Sequence, residues 1–238
     1  ELHDLADAGY AVIQLEEPQI HLLAARGYVD KVINPEFMLT VFNNTVKGLR
    51  AKTEVWCHTC WGNPSQQRMF GTVQSYKPAL ALLNQVDADV ITFEMKSSNL
   101  LDLAEVGAAI TEKKVAVGAI DHHTLQVESP QEVAEVVRAA LRHIPAERLI
   151  LSSDCGMGRE GMSRRHAFYK MVALVQGTNL VKKELGLPPT ESPGADPTAT
   201  EAQGETKKAL IYARGMKPSN LTLRLALALV LSTAAMTA

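Results

Sequence analysis

Side chains that can bind a metal ion or transfer a proton follow apolar, strand-like runs at five places along the chain. They are Glu16 and Glu17 after run 11–15, His58 to Cys60 after 54–57, Glu94 after 90–93, Asp121 to His123 after 115–120, and Asp154 and Cys155 after 149–151. In parallel α/β folds the carboxyl ends of the strands lie together, and the following loops build the functional site. The sequence therefore predicts one shared site for metal binding or acid–base chemistry.

The second of these places contains two cysteines in the sequence Cys57-His58-Thr59-Cys60. Such a pair is found in redox sites and in halves of zinc ribbons, or it arises by chance. A ribbon needs a second pair, which the sequence lacks, and a redox pair opens a helix, whereas this one closes a strand. Because side chains alternate faces along a strand, His58 and Cys60 point one way and Cys57 points the other way into the core.

Glu94 and Cys155 extend this pair to one imidazole, two thiolates and one carboxylate. Zinc takes nitrogen, sulfur and oxygen ligands in a tetrahedral arrangement, so the set favours a zinc site. Carboxylates are the more labile ligands, so we expect Glu94 to be the ligand that yields to a substrate. The alternatives are a core cysteine in a Gly-rich turn for Cys155 and a solvated loop acid for Glu94.

The elements that must position these residues alternate between β-rich runs and amphipathic stretches, which is typical of βαβ units with a parallel sheet. Ser129 and Pro130 predict the start of one helix, and a second is expected from about Arg164 to Leu185, stopping at Gly186. Five strands fit either a doubly wound open sheet or the last part of a (β/α)₈ TIM-type barrel. Because the sequence begins at Glu1 rather than Met, we favour an N-terminally truncated barrel, whose missing strands a partner chain in an oligomer can supply.

Composition limits the class of protein further. The 238 residues carry 24 basic and 26 acidic side chains, a net charge of −2, so we expect no nucleic-acid binding. Three cysteines do not form a fully paired disulfide framework, which favours a reducing, cytoplasmic location. We expect the catalytic domain over 1–187, a disordered linker over 188–208, and a tail over 209–238. The apolar end of the tail, 221–238, is short for a membrane span and contains Arg224, so no membrane anchor is expected.

Taken in order, the motifs resemble the catalytic barrel of cobalamin-independent methionine synthase over about residues 1–187. The motifs that carry this resemblance are Ile13-Gln14-Leu15-Glu16-Glu17-Pro18, His58-Thr59-Cys60, Asp87 to Glu94, Asp121-His122-His123-Thr124, Ile144 to Leu149, and Asp154-Cys155-Gly156. The resemblance implies a catalytic zinc, and a methyl group transferred from a folate-type donor to a thiol such as homocysteine, giving methionine.

The resemblance also implies individual roles. It assigns the zinc ligands to His58, Cys60, Glu94 and Cys155. It makes His123 the proton donor, with Asp121 as its neighbour, and it makes Glu16 the acid that holds the amino group of homocysteine.

Two departures leave the substrate open. Glu16 stands where the family has Asp, which adds one methylene at the amino-group site. The segments 58–64 and 158–161 look more like the short, single-barrel relatives, which include epoxyalkane:coenzyme M transferase. The alternatives are therefore alkylation of a different thiol by an epoxide, or a truncated barrel that binds zinc without catalysis.

Overall fold

A computed structural model describes residues 1–27, 32–62, 75–158, 161–192 and 195–196. Its centre is a parallel sheet of five strands, paired in the order in which they occur along the chain. The strands are β1 (Val12–Glu16), β2 (Glu54–Thr59), β3 (Val90–Phe93), β4 (Lys114–Ile120) and β5 (Leu149–Ser153). The predicted α/β class and the five strands are therefore confirmed.

Helices connect these strands, as parallel pairing requires. They are α1 (Leu2–Asp7), α2 (Gln19–Ala25), α3 (Pro35–Thr45), α4 (Leu80–Leu83), α5 (Leu103–Ala109), α6 (Pro130–Leu141) and α7 (Arg164–Glu184), with 3₁₀ turns at Leu49–Ala51 and Lys77–Ala79. Within the described residues, β1 pairs only with β2 and β5 only with β4. None of the helices in this part of the chain has the length and hydropathy needed to cross a bilayer.

The two faces of the sheet bury different sets of residues. The face toward the helices carries the main core, to which Val55, Cys57 and Ile91 belong. The other face carries a small separate cluster of Trp56, Val90, Ala116 and Ile150. The alternation along β2 thus sends Trp56 and Cys57 to opposite sides, as its period of two predicts.

Local sequence determines the helix ends that were predicted. The Ser129 side chain accepts a hydrogen bond from the backbone of Glu132, whose carboxylate accepts one from the backbone of Ser129, and Pro130 occupies the first turn. This capping box satisfies two N–H groups that an isolated helix leaves without partners. The other predicted end is the C-terminus of α7, which stops before Gly186. This residue has a φ of 69°, which glycine adopts at little cost.

The strands run slightly further than the apolar pattern indicates. Glu16 is the last residue of β1, and His58 and Thr59 are the last residues of β2, rather than the loop residues that we predicted. The reason is that pairing continues across the polar residues: Glu16 is in register with His58, and the backbone N–H of Glu17 donates to the carbonyl of His58 at 3.0 Å.

The predicted linker and tail fall largely outside the described residues, as does part of the 158–161 segment. Of the linker, residues 188–192 and 195–196 are described. There Thr190 lies against α7, where its backbone N–H donates to Asn179 at 2.7 Å. The boundary at residue 187 stays a prediction.

Candidate metal and proton-transfer site

The predicted site residues meet at the carboxyl end of the sheet because all five parallel strands end there. Glu16 on β1 aligns with His58 on β2, and His58 aligns with Thr92 on β3. Glu94 directly follows β3, Asp121 directly follows β4, and Asp154 and Cys155 directly follow β5. Side chains separated by up to 139 positions, from Glu16 to Cys155, thus lie around one end of the sheet.

His58, Cys60 and Cys155 form a compact group that can hold a metal ion. One ring nitrogen of His58 and the two sulfur atoms all lie within 4.8 Å of one another, and all three residues are buried. The two sulfur atoms are 3.4 Å apart. Cys57 is fully buried in the main core on the opposite face, as the alternation along β2 predicted.

Thr92 determines how the imidazole of His58 is presented. The Thr92 hydroxyl oxygen is 2.6 Å from Nδ1 of His58. Nε2 is buried and has no hydrogen-bond partner within the described part of the chain. A metal-binding histidine typically engages its second nitrogen in this way, which fixes the ring and leaves the first nitrogen for the ion.

The electrostatics of the group favour a thiolate beside the imidazole. The Cys155 thiol donates to the Cys60 sulfur, and this hydrogen bond, with help from His58, lowers the pKa of Cys60 well below that of a free thiol, against the effect of burial. The same contact, and then burial, raises the pKa of Cys155. Burial lowers the pKa of His58, but Cys60 and the acids Glu16 and Glu94 outweigh it, so its pKa is raised overall.

This donor set fits zinc. An imidazole nitrogen without a protein partner and two adjacent sulfur atoms are ligands that zinc prefers, and alkali or alkaline-earth cations take oxygen instead. Three protein ligands with a fourth position for another group is also the usual arrangement of a catalytic zinc site. The buried group of His58, Cys60 and Cys155 can therefore hold a metal ion of the zinc type.

Glu94 lies beside this group but is not part of it. Among the described residues, the Glu94 carboxylate groups with ring nitrogens of His122 and His123, all within 4.8 Å of one another, rather than with the two cysteines. Its two oxygens accept hydrogen bonds from the backbone of Trp61 at 2.7 Å and from the hydroxyl of Ser97 at 2.6 Å. Burial raises the pKa of Glu94, and these two donors act in the opposite direction.

Asp121 and His123, which the resemblance makes neighbours, form a hydrogen-bonded pair. Oδ1 of Asp121 accepts from the backbone N–H of His123 at 2.7 Å and lies 3.3 Å from Nδ1 of its ring. The bond to Asp121 is the main reason that the pKa of His123 is raised. The ring is 39% exposed, and its Nδ1 is 3.9 Å from Glu94, so it stands between the buried acid and solvent.

His122 differs from its neighbour. It is fully buried, and its Nε2 lies 3.3 Å from the carbonyl oxygen of Gly62. Burial lowers the pKa of His122 to about 4, so the ring is neutral near pH 7. Of the two histidines, the exposed His123 is thus the one whose environment suits proton transfer.

Thr92, Gly118 and His21 shape the site and were not predicted. Asp154 was expected at the site, but its role was not: its buried carboxylate accepts three backbone hydrogen bonds from residues 95–97 at 2.7–2.9 Å, which holds the loop that follows Glu94. Gly118 makes room for this carboxylate, since a Cβ there would be 2.0 Å from Oδ1 of Asp154.

His21 on α2 contacts the carbonyl oxygen of Cys60 at 2.8 Å. Thr92 lies two residues before Glu94, so strand alternation alone indicates that it faces the site.

The sequence is similar to those of known proteins over most of the chain. The family described as "Cobalamin-independent synthase, Catalytic domain" matches residues 1–177. Methionine synthase of Saccharolobus solfataricus is 29% identical over 185 residues, which are 78% of this chain and 48% of that protein. The 5-methyltetrahydropteroyltriglutamate–homocysteine methyltransferase of Mycolicibacterium paratuberculosis is 32% identical over 157 residues, 66% of this chain and 19% of that protein.

A solved structure agrees with the sequence comparisons. The B12-independent methionine synthase of Shewanella sp. W3-18-1, in complex with selenomethionine, superimposes with a TM-score of 0.65 at 28% identity, covering 77% of this chain and 52% of that one. The chain thus spans about half the length of the methionine synthases that it matches. On the match to residues 1–177, it belongs to the family of cobalamin-independent methionine synthase catalytic domains.

Proposed function

We propose that this chain performs the zinc-dependent transfer of a methyl group from a folate-type donor to a thiol such as homocysteine, giving methionine. The observation that carries the proposal is the convergence of His58, Cys60 and Cys155, from the ends of two strands far apart in sequence, into one buried group. Membership in the family supports the reaction class. We assign the catalytic unit to residues 1–187.

The proposed zinc ligands are His58 through Nε2, Cys60, Cys155 and Glu94. When bound, zinc lowers the pKa of a coordinated substrate thiol, so that the thiolate is available near neutral pH. Glu94 is the ligand that we expect to yield. Its carboxylate already accepts hydrogen bonds from Trp61 and Ser97, so it keeps protein partners whenever it leaves the metal.

His123 is the proposed acid of the reaction. The sulfur of the substrate forms a bond to the methyl carbon while the bond between that carbon and the donor nitrogen breaks, and its electron pair stays on the nitrogen. Asp121 engages Nδ1 of His123, so Nε2 is the atom that delivers a proton to this nitrogen. The proton lost by the substrate thiol balances the one delivered.

Glu16 is the proposed binding partner of the substrate ammonium group. It is exposed, ends β1, and lies in register with His58 on the neighbouring strand. An amino acid whose thiol reaches the metal group can therefore place its ammonium near this carboxylate. The extra methylene of Glu compared with Asp moves the carboxylate further from the strand backbone.

The test uses the full chain loaded with zinc and supplied in parallel with two substrate pairs, a methyl-folate with homocysteine and an epoxyalkane with coenzyme M. The proposal predicts methionine from the first pair, and no product from Cys155→Ser prepared in the same way. Product from the second pair alone would assign the chain to the epoxide class. A zinc-loaded chain that alkylates neither thiol would overturn the catalytic proposal and leave a zinc-binding protein.

A further inference from the structure

Lys170 on α7 is a fully buried cation outside the metal group. Its ammonium group donates to both carboxylate oxygens of Glu128, at 3.1 and 3.0 Å. It also donates to two backbone carbonyl oxygens, those of Asp121, at 3.0 Å, and of Gln126. A lysine with every proton engaged by one short loop acts as a fixed anchor for that loop.

These contacts fasten both ends of the loop from residue 121 to residue 128. Oε1 of Glu128 also accepts the backbone N–H of Asp121 at 2.9 Å, so Lys170 and Glu128 hold the two sides of the same residue. Asp121 in turn holds the backbone and the ring of His123. The position of the ammonium group therefore determines where the imidazole lies.

Stability alone does not account for this arrangement. Apolar residues of similar volume stabilise a protein as well as a buried ion pair does, or better. We propose that Lys170, paired with Glu128, is a positioning residue that holds Asp121 and His123 in the geometry for proton transfer. The positioning is a property of the fold, and it rests on the proposed function only in giving His123 the role of acid.

The same helix provides a matched control. Lys182 is also buried, at 3% exposure, and its ammonium group donates to the hydroxyl of Thr190 at 3.0 Å. Lys182→Met removes a buried cation from α7 without touching the 121–128 loop. It therefore separates the cost of losing a buried lysine from the loss of the anchor.

The test measures amide hydrogen exchange and histidine ring NMR signals in the full chain carrying Lys170→Met. We expect the amides of Asp121 and His123 to lose protection by about tenfold or more, the size of one hydrogen bond to a charged group. The ring signals of His123 should shift, while amides of β2 and β3 and the zinc content stay as in the wild type. The charge-balanced Lys170→Met/Glu128→Gln, which has no unpaired buried carboxylate, should release the loop in the same way even if the single variant does not fold.

Two results would overturn the proposal. One is an equal loss of protection at Asp121 and His123 in Lys182→Met. The other is unchanged exchange and ring signals in the charge-balanced variant. These measurements need no turnover, so they decide the positioning role even if the chain transfers no methyl group. Where transfer is observed, Lys170→Met should lower kcat and leave the KM for the thiol unchanged.

Discussion

The two ends of the sheet treat their charged groups in opposite ways. At the amino end the Arg50 guanidinium pairs with Asp87 at 2.9 Å and with Asp89 at 2.8 Å, and the Lys114 ammonium pairs with Glu54 at 2.7 Å. These side chains are partly exposed, and each charge has a partner of opposite sign. Such pairs contribute modestly to stability and offer nothing for a ligand to satisfy.

At the carboxyl end the group of His58, Cys60 and Cys155 is buried, with no carboxylate among its members. His58 keeps a buried nitrogen without a hydrogen-bond partner in the described part of the chain, and two sulfur atoms lie 3.4 Å apart beside it. Buried polar groups of this kind at the carboxyl ends of parallel strands indicate a functional site. Substitutions at the amino end should therefore change stability alone, whereas those at the carboxyl end should change metal binding and catalysis.

The largest expected effect is the loss of zinc from Cys60→Ser and from Cys155→Ser. A hydroxyl is a poor replacement for a thiolate ligand, so neither variant should retain zinc after dialysis against a chelator. The measurement is zinc per folded chain by atomic emission.

Cys57→Ser is the matched control for this experiment, because Cys57 lies three residues from Cys60 but in the main core. It should lower the free energy of unfolding and keep its zinc. Zinc loss from Cys57→Ser as complete as that from Cys60→Ser would reverse the assignment of the two faces of β2.

The second effect concerns His123→Asn, which removes the ring that titrates. Losing general acid catalysis lowers rates by about 10²–10⁴-fold, so single-turnover transfer should slow by that factor at unchanged zinc content. The control is His122→Asn, which replaces a buried ring that touches the carbonyl of Gly62. A slower reaction in His122→Asn than in His123→Asn would assign the acid role to His122 and contradict the proposed role of His123.

A smaller effect is expected from Thr92→Val, which removes the hydroxyl that lies against Nδ1 of His58. Loss of such a supporting group typically costs about 10–100-fold in metal affinity. Thr53→Val is the same substitution at the amino end, where the hydroxyl donates to the carbonyl of Tyr10 at 2.7 Å.

Competition with a chelating dye gives the zinc affinity of both threonine variants. Thr53→Val should lose about 1 kcal/mol of unfolding free energy and no zinc affinity. Equal zinc affinities for the two variants would show that the two ends of the sheet do not differ as we describe.

The smallest effect is predicted for Arg50→Met at the amino end. The Met side chain takes the place of the aliphatic part of Arg50, so only the ion pairs to Asp87 and Asp89 are lost. Partly exposed pairs contribute at most about 1 kcal/mol, so chemical denaturation should show a small shift and zinc content should stay unchanged. A fall in zinc content in this variant would mean that the two ends are coupled.

Sequence predicted the parts of this molecule that depend on neighbours along the chain. Ser129 and Pro130 identified the start of α6, and strand alternation separated Cys57 from His58 and Cys60. The ends of β1 and β2 were missed because pairing across the polar residues Glu16 and His58 depends on the adjacent strand.

The supporting residues could not be predicted in the same way. Lys170 forms an ion pair with Glu128, which lies 42 positions earlier, and His21 contacts the carbonyl oxygen of Cys60, 39 positions later. A lysine on an amphipathic helix ordinarily lies in water, so nothing local indicates that Lys170 is buried. The convergence of His58, Cys60 and Cys155 was thus accessible from the sequence, whereas Lys170 and His21 were not.

X-ray absorption at the zinc edge of the zinc-loaded full chain tests the central claim most directly. A site built from His58, Cys60 and Cys155 predicts two sulfur ligands at about 2.3 Å and an imidazole nitrogen at about 2.0–2.1 Å, with one further nitrogen or oxygen ligand. Addition of homocysteine should raise the sulfur count to three. A spectrum with one sulfur ligand or none, or a count that homocysteine leaves unchanged, would contradict the account.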